Sequence, residues 1–577
     1  MTPLHNPSSG EASSPSAATS PSSTRGCASA LDPSNETSAS MPGPASHDSP
    51  ARSSTDFWSA AGSILALQDR TPPLQRKQFR GPPPLSLAQE RLWSLEQSEP
   101  GLPYYHVPVT WHIRGDLELG ALRKSLDFLF QRHEALRTSF PATLNGPVQQ
   151  ISEGHFELPL EVLPCKEAAE PDENAFARAR EFARQPFDLE QGPLIRAVLY
   201  RLGPQVHWLV LVVHQMIFDG ASMRAFSRDL RECYQAFVEQ REPVLEELPV
   251  RYSDFALWQR ECLRDDVLAE DDKFWSEQLR KSYEPLRFPI DHPRKNQGVI
   301  PGRQVAFNLP KREMDGLKKL GFDRGVTPFA AFLGCFQAFL ARWTKQPDVL
   351  TLVSIAARNQ RETRNLVGLI ANVLPMRMDF SGNLTLEAVI ERAGRVVSSS
   401  LAHQNLPLSR ILEKLPSSRA AVSVPALQVL VIYNNAPLPS LRLPKVTFTP
   451  SLALDNGVTK FDLVLDIADS PQGVSGELKY RADLFEESTI VEFLAEWRAF
   501  VEAALIEPSA TLNLDLSAEE NPVAEGCSGT RCASAEAGAA STRNSRREGS
   551  AYVAPRSELE QKLASVWESV FDVHPIG

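Results

Sequence analysis

The 577-residue sequence is poor in cysteine, with only seven, at positions 27, 165, 233, 262, 335, 527 and 532. Their number is odd, no CxxC pair occurs and no Cys/His spacing suits zinc, so neither a disulfide framework nor a metal site is expected, and a reducing compartment fits best. The N-terminus lacks a charged-then-apolar targeting pattern, and no run approaches the roughly 18 apolar residues of a membrane span, which points to a cytoplasmic protein without a membrane partner. Long Lys/Arg runs are also missing. With a formal net charge of −11 the chain has no footprint for neutralising phosphates, so nucleic acid is not an expected partner. The short basic stretch at 543–547 lies in polar surroundings and reads as solvated linker. Neither a P-loop nor a GxSxG elbow is present.

What remains is an ordinary globular composition, 42% hydrophobic and 23% charged, in a chain long enough for two to four domains. Residues 1 to about 55 are dominated by Ser, Pro, Ala, Thr and Gly, too few large apolar side chains to offset the entropy of ordering. Residues 56–67 could form a short amphipathic helix, and a Pro-rich connector follows. We therefore expect a disordered region and connector over 1–80. From 85 to about 516 the pattern is α/β. Helical spacing marks 119–136, 226–237, 328–343 and 386–401, and buried-strand runs mark 206–213, 349–355 and 427–433. No repeat of 20 to 50 residues is apparent. A second disordered linker is expected over 517–550, and one amphipathic helix over 557–570.

The most informative segment follows the strand at 206–213. It reads His214-Gln215-Met216-Ile217-Phe218-Asp219-Gly220, polar groups at a strand end that opens into a helical pattern. Such a turn can present side chains to a cleft, so a histidine there is a catalytic candidate; a satisfied structural histidine is the plainer alternative. This segment resembles the HHxxxDG signature of condensation domains in nonribosomal peptide synthetases, with Gln215 where the second His belongs. The resemblance assigns catalysis to that second position.

Six further segments resemble the same family in the same order. Ser86-Leu-Ala-Gln89-Glu-Arg91-Leu92-Trp93 is similar to its opening SxAQxRLW motif, with Ser86 also a plausible helix cap. Arg132-His133-Glu134-Ala-Leu136-Arg137-Thr138-Ser-Phe140 resembles RHExLRTxF; its charges read as a structural ion-pair cluster rather than a site. Tyr252-Ser-Asp254-Phe255-Ala-Leu-Trp258 resembles YxDFAxW, with aromatics at core spacing. Val367-Gly368-Leu-Ile-Ala-Asn372-Val-Leu-Pro375-Met-Arg377 resembles IGxFVNTxPxR, with Ala371 and Val373 departing from it. His403-Gln404-Asn405-Leu-Pro407 is similar to HQDxPFE with an amide in place of the acid. Pro425-Ala-Leu427-Gln428-Val429 and Tyr433-Asn434-Asn435 resemble the late PLFQVxFxYxN segment.

The resemblance implies two lobes, each similar to chloramphenicol acetyltransferase, set in a V around a tunnel, with lobes at 84–248 and 249–516. It implies amide formation between a carrier-bound acyl or peptidyl donor and a carrier-bound aminoacyl acceptor, whose phosphopantetheine arms enter from opposite faces as substrates rather than as a covalently held cofactor. The first two motifs look more like the subtype taking an L-configured donor, and no DxxxxD heterocyclisation signature occurs at 214–220. Asp219 is implied to be structural and paired with a basic residue of the other lobe, for which Arg358 is the candidate. Gly220 is expected to permit a close turn that a Cβ would obstruct. His133, Arg132, Arg137 and Asn372 are expected to shape the tunnel or its surroundings.

Residues 551–577 resemble the first helix of a carrier domain and stop before the Ser that would carry a prosthetic arm. No adenylation segment separates the two parts, so amino-acid activation is expected from a separate enzyme. Gln215 cannot titrate near neutral pH. If the motif residue is a general base, its loss costs roughly 10²- to 10⁴-fold; if it orients the amine, Gln215 Oε1 can partly substitute. His214 should not replace it, because neighbouring strand residues point to opposite faces. The alternatives to a working enzyme are an impaired condensation fold kept as a carrier-binding module, and a shortened synthetase fragment.

Overall fold

The computed structural model describes residues 72–516 apart from 155–156, 166–171, 282, 295–298, 416–426, 436–437, 452–453 and 471–472. The regions 1–71, 517–550 and 551–577, the helix expected at 56–67, and Pro425 lie outside the described residues.

Two six-stranded mixed sheets organise what is described. The first runs, in spatial order, Leu441–Leu443, Val446–Ser451, His106–Gly115, Val206–His214, Ile195–Gly203 and Leu160–Pro164. All its pairings are antiparallel except the last. The second runs Asn372–Asp379, Asp348–Ile355, Val429–Asn434, Leu463–Ser470, Gly473–Arg481 and Gly302–Pro310. Its two central pairings, Asp348–Ile355 with Val429–Asn434 and Val429–Asn434 with Leu463–Ser470, are parallel.

Val206–His214 is apolar without alternation because both faces of its sheet are covered. Leu209, Leu211 and Val213 enter one core, whereas Trp208, Val210 and Val212 enter another with the alanine-faced helix Glu173–Arg184. The core of the second sheet is larger. Its central helix Pro328–Thr344 starts with Thr327 Oγ1 accepting from Ala330 N and with proline at the first position, and stops at Lys345 in the left-handed region. Gly334 lets the helix Leu386–Ala402 approach; a Cβ there would lie 2.7 Å from that of Ala393.

Three expectations need correction. The helix from Leu119 stops at Arg132 rather than 136, because His133 is extended and Glu134–Arg137 forms a separate 3-10 turn. The stop has a tertiary cause, the anchoring of Arg132 and His133 on buried Asp229. The connector at 72–80 is strapped down rather than loose: Trp258 Nε1 donates to Pro72 O at 2.7 Å, Lys77 N donates to Asp254 Oδ1 at 2.9 Å, and Leu74 is buried. A Pro-rich extended segment has few internal hydrogen bonds, so its backbone groups are available to these side chains. Finally, the two cores do not divide at residue 248. Strands Leu441–Leu443 and Val446–Ser451 cross back into the first sheet, and Tyr252, Phe255, Trp258 and Leu366 to Ile370 pack in the first core.

Candidate active site

Strand Val206–His214 ends where His214 caps a 3-10 turn, Gln215–Ile217, its Nδ1 accepting from Met216 N at 3.2 Å. Because Nδ1 accepts, the ring proton sits on Nε2, which faces Glu96 Oε1 at 3.2 Å. Both partners are buried. His214 is thus committed to structure on both nitrogens. It diverges from Gln215 because the chain leaves the strand for the turn at Gln215, rather than through simple strand alternation.

Gln215 is half-buried, lines a large cavity, and its side-chain amide makes no hydrogen bond to any described residue. A buried neighbour braces the turn. Gln89 Nε2 donates to Met216 O at 3.0 Å, while Gln89 and Ser86 form a reciprocal capping box at the start of helix Leu87–Ser98. The opening motif therefore supports the turn.

Asp219 caps the helix Gly220–Val238 and is almost wholly buried. Its Oδ1 accepts from Ser222 N (2.8 Å), Ser222 Oγ (2.7 Å) and Arg358 Nη2 (2.9 Å); its Oδ2 accepts from Arg358 Nη1 (2.8 Å), Ile370 N (3.0 Å) and Ala371 N (2.9 Å). Burial by itself would raise the acid's pKa, but the Arg358 charge and these donors outweigh it and hold the carboxyl below its ordinary value. The same latch uses Ser222 Oγ against Gly368 N and O, each at 3.0 Å. Gly368 is required on steric grounds. Its φ is +152° and a Cβ would stand 2.0 Å from the ring of Tyr252, whose hydroxyl donates to Leu369 O at 2.6 Å and meets Ser86 Oγ at 2.9 Å.

Gly220 behaves differently from the expectation. It is exposed and lines the cavity, with nothing within 4 Å of where a Cβ would be. The turn does not demand glycine; the missing side chain leaves open space in the cavity.

The other expected residues separate into two groups. Asn372 lines the cavity, but its Nδ2 is spent on Gln404 O at 2.9 Å and Leu406 O at 3.0 Å. Arg132 and His133, by contrast, converge on Asp229 at 3.0 and 3.2 Å, together with Arg228 at 2.7 Å. Burial pushes the His133 pKa down, against the pull of Asp229. Arg137 Nη1 donates to Ser152 O at 2.5 Å. None of these three lines the cavity.

The cavity holds about 860 Å³ and is walled by both sheets. Several of its lining residues escaped sequence reading: His106, Lys460, Asp466, Glu477 and Lys479. Asp466 and Glu477 are direct partners on neighbouring strands. Burial pushes the Asp466 acid up to about 6, and burial with the nearby Asp466 and Asp455 charges pushes Glu477 up to about 7 despite Lys479. One signal was readable: in strand Leu463–Ser470 Asp466 shares its face with Val464 and Ala468, an acid on an otherwise apolar run of alternate residues. His106 sits in an aromatic run without such contrast. Among the described residues no group of His, Cys, Asp or Glu is placed to hold a metal ion, and no single helix is long and apolar enough to cross a membrane. The four cysteines within the described residues are free thiols.

Residues 80–521 match the model of the Condensation domain family. The chain is 33% identical over 466 residues to a linear gramicidin synthase of Brevibacillus parabrevis, covering 80% of this chain and 6% of that one. It therefore spans less than a tenth of that relative's length. Among solved structures it is similar in fold to the X-domain in the complex of the X-domain and OxyB from teicoplanin biosynthesis (TM-score 0.67, 24% identity, 78% of this chain and 99% of the other). A like resemblance holds for the first condensation domain of the calcium-dependent antibiotic synthetase (TM-score 0.65, 20% identity, 76% and 99%). With the braced turn at 214–220 and the match over most of its length, the chain belongs to the condensation domain family of nonribosomal peptide synthetases.

Proposed function

We propose that this chain joins a carrier-bound acyl or peptidyl donor to the amine of a carrier-bound aminoacyl acceptor. The amine attacks the donor thioester, an amide bond forms and a thiol departs. The observation that supports this best is the turn from Gln215 to Gly220, locked by Asp219 and Arg358 and set in the wall of an 860 Å³ cavity between the two sheets. On this reading two lobes of the chloramphenicol acetyltransferase type form a V around a tunnel, and the phosphopantetheine arms of two carriers reach the turn from opposite faces. A separate adenylation enzyme supplies the activated amino acid, the segment 551–577 begins a carrier-type domain, and the protein works in the cytoplasm. Asp219 and Arg358 hold the scaffold; the chemistry takes place beside Gln215.

The reaction needs a neutral amine aimed at the carbonyl and a path for the amine proton. Gln215 Oε1 can accept an N–H but cannot take up the proton, so the chain should work by positioning. The test is an assay with purified donor and acceptor carriers, both loaded, followed by mass spectrometry of the amide product, with Gln215→His run in parallel. Product from the natural sequence supports the reading. No product from either protein, under conditions where both carriers bind, overturns it.

A second reading is favoured by Gln215 itself, which puts a non-titrating amide at the cavity-lining position where the family motif has its second histidine. In it the fold binds carriers without turnover. Any amide formed by the natural sequence rejects that reading.

A further inference from the structure

We propose that His106 Nε2 is a hydrogen-bond acceptor for an N–H of the attacking amine, a direct positioning contact on the substrate that rests on the reaction proposed above. Antiparallel pairing places His106 directly opposite His214, the residue before Gln215, so the imidazole and the turn share one sheet end. Only 4% of His106 is exposed, and it lines the cavity.

The state of the ring follows from its partners. His106 Nδ1 lies 2.8 Å from Ala183 O, at the end of helix Glu173–Arg184. A carbonyl oxygen can only accept, so Nδ1 carries the hydrogen and Nε2 of the neutral ring carries the lone pair. Nε2 has no partner among the described residues. The ring is clamped edge-on by Phe187, with centroids 4.9 Å apart, and by His214 at 5.9 Å. It is thus a fixed acceptor whose Nε2 keeps solvent access, so an N–H that enters the cavity can reach it.

The neighbours keep the ring neutral. Burial lowers its pKa to about 4, the Ala183 carbonyl opposes that, and His214 and Arg196 reinforce it. A neutral ring accepts an N–H and does not repel a cationic amine as it enters. So weak a base aims the nitrogen lone pair and does not hold the proton, which leaves to solvent or with the departing thiol.

The test uses protein labelled with ¹⁵N-histidine and a set of unreactive aminoacyl-aminopantetheine amides covering the twenty common side chains. At least one should bind and move the His106 Nε2 resonance upfield, as donation to an imidazole nitrogen does. His106→Phe, which keeps a ring against Phe187 but loses the donor to Ala183 O, should weaken that binding by about tenfold, the worth of one hydrogen bond, in a protein that circular dichroism shows to be folded. His106→Gln, which restores an acceptor, should recover part of it. The proposal is overturned if no ligand in the set binds, if the bound ligand leaves Nε2 unmoved, or if His106→Phe binds as tightly. An Nε2 shift without amide product in the carrier assay would overturn the proposed reaction and keep this contact; product formed at an unchanged rate by His106→Phe would overturn this contact alone.

Discussion

Asp219 and Arg358 form a bidentate pair, with contacts of 2.8 and 2.9 Å, that ties the start of the helix after one sheet's strand to the loop after strand Asp348–Ile355 of the other. Four further hydrogen bonds, two from Ser222 and one each from Ile370 N and Ala371 N, complete the carboxylate's coordination. Stability and site geometry therefore depend on the same atoms.

Removing one partner should be severe. Arg358→Ala leaves a buried carboxylate without its counter-charge, and the expected loss is about 3 to 5 kcal/mol, read by urea unfolding. The pH dependence has a definite sign. A carboxylate held below its ordinary pKa contributes stability that is complete above the unfolded value, about 3.9, and is lost as pH falls through the lower folded value. The stability gap between the natural sequence and Asp219→Asn should hold steady from pH 6 to 8 and narrow only below about 4.

Two glycines of the family motifs should respond in opposite ways. Gly368→Ala drives a methyl group into the Tyr252 ring from a backbone angle that L residues rarely adopt, so loss of more than about 3 kcal/mol or failure to fold is expected. Gly220→Ala meets open space at the first turn of a helix, so unfolding should shift by less than about 1 kcal/mol. Product formation should fall nonetheless, because the methyl occupies the cavity beside Gln215. Circular dichroism melts and the carrier assay on the same preparations separate the two effects.

The contrast between these glycines shows what was legible in the sequence. Continuous apolar runs such as 206–213 and dense helical patterns such as 328–343 announce their structure, because burial on both faces leaves few alternatives. The turn could be located from its polar residues. Why each residue is there could not: Gly220 is set by cavity space, Gly368 by a ring that approaches from 116 positions earlier in the chain, and the helix stop at Arg132 by Asp229 on another helix. Those causes are tertiary. The return of strand Val446–Ser451 to the first sheet is of the same kind, since its pairing partner His106–Gly115 is hundreds of residues away.

Gln89 gives a test of the brace under the turn. Replacing it by Ala leaves the buried Met216 carbonyl without its side-chain donor and removes half of a capping box, at a cost of about 1 to 3 kcal/mol. Gln89→Glu is the sharper variant. It keeps the shape but turns a donor into an acceptor facing a carbonyl, and should destabilise at least as much at pH 7. Urea unfolding of both variants would decide whether the brace contributes through its donor or only through packing.

Asp466 and Glu477 should make stability fall with rising pH. Their acids are held above the ordinary range, so the folded state binds protons more tightly than the unfolded state and gains stability that is present at low pH and lost as pH rises through the folded values near 6 and 7. Glu477→Gln removes one of these charges and relieves its partner across the strand pair. We expect no gain near pH 4.5, where both acids are mostly neutral, and a gain on the order of 1 kcal/mol by pH 8, after discounting for solvent that reaches the cavity wall. Unfolding measured at half-unit steps from pH 4.5 to 8 would show the natural sequence losing stability across that window and the variant losing less. Parallel curves would mean that Lys479 already neutralises the pair.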